Sequence, residues 1–320
     1  MSQPIAVIIG ATGGQGGSVV DSFLKDGRYQ VRAVTRNVNS ANAQALHKRG
    51  VEVVTADLND QASLIQAFKG ATLIFAVTDF FEPFAAKGPE YAIQVEAAQG
   101  ISLAKAAAAT PTLKHYIWST LPNGKKISGG KYIIPHFEAK NQIDAYIKSD
   151  PALLAKTTFV WVTFFASNLF FPMFTPNLIK SSGKYVWLQP APADTPILSV
   201  GDQKKNVGPI ILAVANKPEL TLNGKFVLAT VDESTAAEFL STWGRATGKQ
   251  TEYAQISLEE YNRLWPMWGQ EMGIMMEFWG EYKNKSWSGE DFIRKEDLGV
   301  VGKLVTTEEA VASFDYSSVL

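Results

Sequence analysis

Gly10, Gly13 and Gly16 stand at three-residue spacing directly after the apolar run 5–9, in the stretch Ile8-Ile9-Gly10-Ala11-Thr12-Gly13-Gly14-Gln15-Gly16. The first glycine permits a tight turn out of a strand. The second lets backbone approach a diphosphate with no Cβ between them, and the third lets the following helix pack close to the sheet. The start of that helix then offers free N–H groups and a partial positive charge to phosphate oxygens. The chemistry this pattern could do is dinucleotide binding; the plain alternative is a glycine-rich turn with no ligand. Arg36 follows in Val34-Thr35-Arg36-Asn37, at the end of the next strand, where a site for an unphosphorylated ribose would carry Asp or Glu. A guanidinium there can grip a 2′-phosphate with its fork of donors and stack on adenine, which favours NADP(H) over NAD(H). Asp57 and Leu58, after the third strand, would lie beside the adenine; for Asp57, capping a helix is the equal alternative.

The elements that must position these residues are legible as alternating short β-branched runs and helical stretches. Residues 5–9, 30–35, 51–55, 72–77, 115–119 and 159–164 read as strands. Residues 14–25, 41–49, 61–68, 91–109 and 136–148 read as helices, the first stopped by Gly27 and the second by Gly50. Strands that alternate with helices and carry fully apolar runs predict an α/β fold with a doubly wound parallel sheet, a Rossmann domain over 1–165. After Ser167 the rhythm changes: Pro172, Pro176, Pro190, Pro192 and Pro196 interrupt it, and tryptophan becomes frequent. Residues 166–320 are expected to form mainly a smaller α/β domain on the substrate or partner side, with 197–215 returning to the Rossmann sheet.

Composition narrows the function classes. The chain of 320 residues has 46% hydrophobic content, ample for a large core. Its formal net charge of -1 supplies no field for direct nucleic acid binding or for an anionic membrane. With no cysteine, thiolate chemistry and disulfides are excluded. The N-terminus lacks a basic region and a long apolar run, and no stretch approaches the roughly 20 apolar residues of a membrane span, so the expected location is the cytosol, or cytosol and nucleus. His47, His115 and His136 are scattered with no carboxylate cluster beside them, and no metal site is expected.

GATGGQG at 10–16, TRN at 35–37, HFEAK at 136–140, FASNL at 165–169 and the aromatic stretch Met275-Met276-Glu277-Phe278-Trp279 together make the chain resemble the NmrA-like branch of the atypical short-chain dehydrogenases. The resemblance is specific over the first 170 or so residues and looser beyond. It groups the chain with fungal nitrogen-metabolite regulators, an animal NADPH-sensing protein and plant isoflavone-reductase-like enzymes. It implies a dinucleotide site on Gly10, Ala11, Thr12, Gly13, Gly14, Gln15 and Gly16, then Arg36, Asp57, Leu58, Thr78, Asp79, Phe80, Lys140, Phe165, Ala166, Ser167 and Asn168. Close relatives often carry a second basic residue a few positions after the arginine. This chain has Val38-Asn39-Ser40, where Ser40 offers one hydrogen bond and no charge.

Ordinary short-chain dehydrogenases use Tyr-x-x-x-Lys, two side chains one helical turn apart. The spacing survives here as His136-Phe137-Glu138-Ala139-Lys140, without the tyrosine. Tyr132 is a poor substitute, because Pro135 favours the first helical position and pushes Ile134 into an extended conformation, leaving Tyr132 off the helix. Lys140 is expected to bind the nicotinamide ribose and, in an enzyme, to assist proton transfer. His136 could serve as an acid or base, or only hydrogen-bond the ribose or backbone. Ser119 and Thr120 end the fifth strand, either orienting a substrate or simply closing the strand with polar groups. The aromatic second half suits a core with an apolar cleft for a bulky small molecule, and the Met272–Met276 region equally suits a groove for a protein partner. Two functions stay open: an NADPH-dependent reductase, and a non-catalytic NADPH/NADP+ sensor read by a partner protein. The oligomeric state is open too, a homodimer among the alternatives.

Overall fold

The computed structural model describes residues 3–320. Its central sheet has eight strands, in the spatial order Phe292–Ile293, Lys225–Ala229, Thr157–Val162, His115–Thr120, Ala71–Ala76, Ile5–Ile8, Gln30–Thr35 and Glu52–Thr55. Every neighbouring pair runs parallel. Alternate residues of each central strand feed two separate cores. Val7, Ile74, Tyr116, Trp118, Phe159 and Trp161 belong to one. Ala6, Ile8, Leu73, Phe75, Ile117, Val160 and Val162 belong to the other. Both faces are therefore covered, which is why these strands read as continuous apolar runs.

The chain starts in the middle of the sheet, winds to the Glu52–Thr55 edge, then crosses back to Ala71–Ala76 on the other side of Ile5–Ile8. That reversal splays two loops apart beyond the strand C-termini and opens the crevice where doubly wound sheets take ligands. The expected strands and helices of the first half are present, with ends shifted by one or two residues, as frayed termini allow.

The second half departs from the expected division. Two of its strands, Lys225–Ala229 and Phe292–Ile293, extend the central sheet. The segment expected to return to that sheet divides. Strand Pro196–Gly201 joins a small sheet with Phe164–Phe165 and Asp232–Thr235 instead. Helix Gln203–Ala215 does return, lying on helix Gly14–Asp26: Gly208 donates its N–H to Ser18 Oγ at 2.8 Å, and a Cβ at Gly208 would stand 1.9 Å from the Ser18 carbonyl. A third sheet holds Thr251–Gln255, Lys184–Gln189 and Asn177–Ile179. The return by helix rather than strand follows from this close crossing, which a glycine alone permits.

Candidate functional site

One cleft of about 1220 Å3 runs along the crevice, above the 300–1,000 Å3 usual for small-molecule sites. At one end lies the glycine turn. Gly10 has φ of 67°, which a side chain rarely adopts, and a Cβ at Gly16 would stand 2.2 Å from the Gly10 carbonyl oxygen. The turn and the helix thus interlock through missing side chains. Helix Gly14–Asp26 starts at Gly13 with no side chain capping it and no acidic residue in its first turn. Its dipole and N–H groups are left to whatever enters the cleft. Ser119 donates to Gln15 Oε1 at 2.8 Å, tying the end of strand His115–Thr120 to this loop.

Arg36 lies on the cleft wall at the same end, its side chain 70% exposed. Its Nη1 and Nη2 donate to the two carboxylate oxygens of Glu82 at 3.2 and 3.3 Å. That contact, and more weakly Asp57 and Asp79, hold the guanidinium above its ordinary range. Glu82 lies in the first turn of a short helix, Phe81–Lys87, which the sequence reading left unassigned. Asp79 positions it by accepting the Phe81 N–H at 2.9 Å.

Lys140 and His136 sit at the other end, one turn apart on helix Pro135–Ser149. Both are 7% exposed, and both line the cleft. The Lys140 ammonium meets Glu96 Oε1 at 2.8 Å and donates to Thr78 Oγ1 at 2.6 Å and to the Thr78 carbonyl at 3.1 Å. Thr78 in turn donates to Glu96 Oε1 at 2.7 Å. The lysine also lies 5.0 Å from the Trp118 ring centroid, a cation–π distance. Glu96 comes from the alanine-rich helix Pro89–Ala108 and is fully buried.

His136 has a carboxylate partner that the sequence did not reveal. The Glu271 carboxylate, 135 residues away, accepts from His136 Nδ1 and, at 3.1 Å, from the His136 backbone N–H. With Oε1 the acceptor of both, Nε2 is the ring nitrogen left for a ligand. Oε2 of Glu271 and Oε2 of Glu96 are buried without a partner among the described residues. Helix Trp268–Tyr282 carries Glu271 and begins at a γ-turn in which Trp268 N–H bonds the Pro266 carbonyl at 2.8 Å across Met267, whose φ is 68°. This is the rare, strained form of that turn. It sets Trp268 against Phe81 and Phe84, with ring centroids 5.8 and 4.7 Å away, as an apolar wall over the histidine end. Phe171, Met272, Met275 and Trp279 continue that wall.

The other expected site residues divide. Thr12, Gly13, Gly14, Asp57, Leu58, Thr78, Asp79, Phe80, Phe165, Ser167 and Asn168 line the cleft. Ala11 and Ala166 are buried beside it without lining it. Ser40 instead caps helix Ala41–Lys48, its hydroxyl accepting from Ala43 N–H at 3.3 Å, outside the cleft lining. Its place at the N-cap explains this: serine satisfies an open helix terminus better than most residues. Thr120 gives its hydroxyl to Asp144, whose carboxyl also takes the Trp118 indole N–H at 2.8 Å. Burial pushes the Asp144 carboxyl up to about 7. Tyr132 lies off the helix as expected, donating to Glu281 at 2.8 Å, with Ile134 extended.

Gln203, Glu82, Glu96 and Glu271 escaped the sequence reading. Gln203 exchanges hydrogen bonds with Ser167 at 2.9 and 3.1 Å and closes over Gly14, where a Cβ would stand 3.0 Å from its side chain. No local signal marked the two buried acids: helix Pro89–Ala108 also carries Glu90, and helix Trp268–Tyr282 also carries Glu277 and Glu281.

Comparison with known proteins places these features in a family. The NmrA-like family matches residues 1–304. An NmrA-like family domain-containing protein of Dictyostelium discoideum is 27% identical over 97% of both chains. An NmrA-like family domain-containing oxidoreductase of Aspergillus japonicus is 30% identical, covering 79% of this chain and 76% of that one. Among solved structures, NmrA, a negative transcriptional regulator, superposes with a TM-score of 0.76 at 21% identity, over 97% of this chain and 95% of that one. Triphenylmethane reductase of a Citrobacter species, complexed with NADP(H), superposes with a TM-score of 0.68 at 21% identity, over 96% and 98%.

Proposed function

The chain belongs to the NmrA-like family, and from that premise we propose that it is an oxidoreductase using NADP(H) to reduce a bulky, largely apolar small molecule. The single observation carrying this reading is the lysine end of the cleft: a histidine and a lysine, each held by a buried carboxylate, beneath a wall of aromatic and methionine side chains. Buried ionisable pairs cost stability to assemble, and clefts are where such groups do work. The fit to a dinucleotide rests on the glycine cradle that a Cβ would fill and on the uncapped helix start beside it. NADPH would supply a hydride from its nicotinamide. Lys140 would bind the ribose and hold positive charge beneath it. His136 Nε2 would deliver a proton to the substrate, with Glu271 fixing the ring's orientation. Trp268, Met272 and Trp279 would exclude water and select apolar substrates. Relatives named NmrA-like oxidoreductases and a structural neighbour crystallised with NADP support the reading.

NADPH consumption over a panel of apolar ketones and quinones tests it. Turnover that falls sharply in Lys140→Ala and His136→Ala is the expected outcome, and no turnover of any substrate would sink it. A second reading, a non-catalytic NADPH/NADP+ sensor read by a protein partner, is favoured by Tyr132. Its hydroxyl donates to Glu281 and it does not line the cleft, so Tyr132 does not replace the usual proton donor of short-chain dehydrogenases. Partner capture that depends on NADPH, without turnover, would select that reading.

A further inference from the structure

Any phosphate that approaches Arg36 meets a carboxylate already seated there. The Arg36–Glu82 contact is two-pronged, each Nη to its own oxygen, the geometry a guanidinium also uses for phosphate. Both residues line the cleft, and their side chains are 70% and 63% exposed. Asp57 and Asp79 also face the guanidinium, but one oxygen of each serves a local turn. Asp57 Oδ1 accepts from Asn59 N–H at 2.8 Å, and Asp79 Oδ1 from Phe81 N–H at 2.9 Å. No second cation helps Arg36, since Val38, Asn39 and Ser40 are all uncharged.

We propose that Glu82 is a specificity-determining residue for the dinucleotide: its carboxylate occupies the guanidinium that a ribose 2′-phosphate needs, so NADP(H) must displace it while NAD(H) leaves the pair intact. This rests on the NADP(H) reading above and sharpens it. The displacement needs one side chain to move. The backbone of Glu82 is pinned by Phe81, which packs on Trp268 and His136 with centroids 5.8 and 5.7 Å away, whereas the carboxylate itself stands in water and can swing clear. Exchange of one anion for another at a single exposed arginine yields a modest preference for NADP(H), and Glu82 is what keeps it modest.

The experiment is calorimetric titration of the full chain with NADPH and NADH, and with adenosine 2′,5′-bisphosphate and AMP as nicotinamide-free probes. Glu82→Gln should tighten NADPH and the bisphosphate by about three- to tenfold, leaving NADH and AMP within about twofold, as expected for removal of an exposed pair and a like charge. The gain should vanish in the Arg36→Ala background, because the carboxylate acts by holding that guanidinium. An unchanged NADPH-to-NADH ratio in Glu82→Gln, or the same gain without Arg36, would overturn the proposal while the NADP(H) reading stands. Failure of both the wild-type protein and Glu82→Gln to take up NADPH would overturn the two together.

Discussion

At the glycine end of the cleft, the groups that would hold phosphate come from one strand–helix–strand unit, and Arg36 stands largely in water. At the lysine end, His136, Lys140, Glu96 and Glu271 come from three helices, one partner lying 135 residues from the other, and all four are buried. The two ends answer different physical needs. Phosphate binding uses backbone N–H groups and a charge that must stay accessible. Proton transfer uses ionisable groups held in fixed geometry away from water, and each must be paired to be buried at all. The same difference predicts where substitutions act: on stability at the lysine end, on affinity alone at the glycine end.

Lys140→Ala should give the largest effect. It leaves Glu96 buried and unpaired, which costs about 3–5 kcal/mol in urea unfolding. A loss below about 1 kcal/mol would mean that the pair is not buried in solution, and the contrast between the ends would dissolve. Glu271→Ala comes next, about 1–3 kcal/mol, because it strips the His136 ring and backbone N–H of their acceptor. Glu271→Gln should restore much of that stability while leaving turnover depressed, which separates an orienting role from simple packing.

The pH dependence of stability sharpens the contrast, because two buried groups, Asp144 of helix Pro135–Ser149 and His115 of strand His115–Thr120, oppose each other. Burial holds Asp144 near 7 against an ordinary 3.8. Its stabilising contribution is present at low pH and is lost as pH rises from about 4 through 7, because the unfolded chain releases a proton that the folded one keeps. Burial holds His115 near 4 against an ordinary 6.5, so its contribution is present above 6.5 and is lost as pH falls through 4. Between these limits the two slopes cancel. Asp144→Asn removes one of them, and the variant should lose about 1.4 kcal/mol per pH unit on acidification relative to the wild-type profile. Parallel unfolding profiles for the two proteins would contradict this. The smallest effect belongs to Arg36→Ala, whose unfolding should match wild type within about 0.5 kcal/mol in the absence of nucleotide.

This contrast also sets what the sequence could disclose. That Gly10, Gly13, Gly16 and Arg36 meet at one cleft was readable because their spacing lies within one supersecondary unit. The first-half strands were readable because both faces of a parallel sheet demand apolar runs. Glu96 and Glu271 were not, since nothing local distinguishes a buried acid from a solvated one until the helices are placed. Glu82 was missed because its helix is short and its partner lies 46 residues away. Strands Lys225–Ala229 and Phe292–Ile293 look like any other strands in the second half, and only tertiary pairing returns them to the central sheet. The capping role of Ser40 follows from its residue type at the start of helix Ala41–Lys48.

The central claim is that the glycine turn and Arg36 together make the cleft a site for NADP(H). Calorimetry of wild type and Arg36→Ala with NADPH and NADH tests it most directly. The account expects wild type to bind NADPH about tenfold more tightly than NADH, a difference of about 1.4 kcal/mol, and Arg36→Ala to bind the two alike. No NADPH uptake at millimolar concentration, or an equal loss of both dinucleotides in Arg36→Ala, would contradict it.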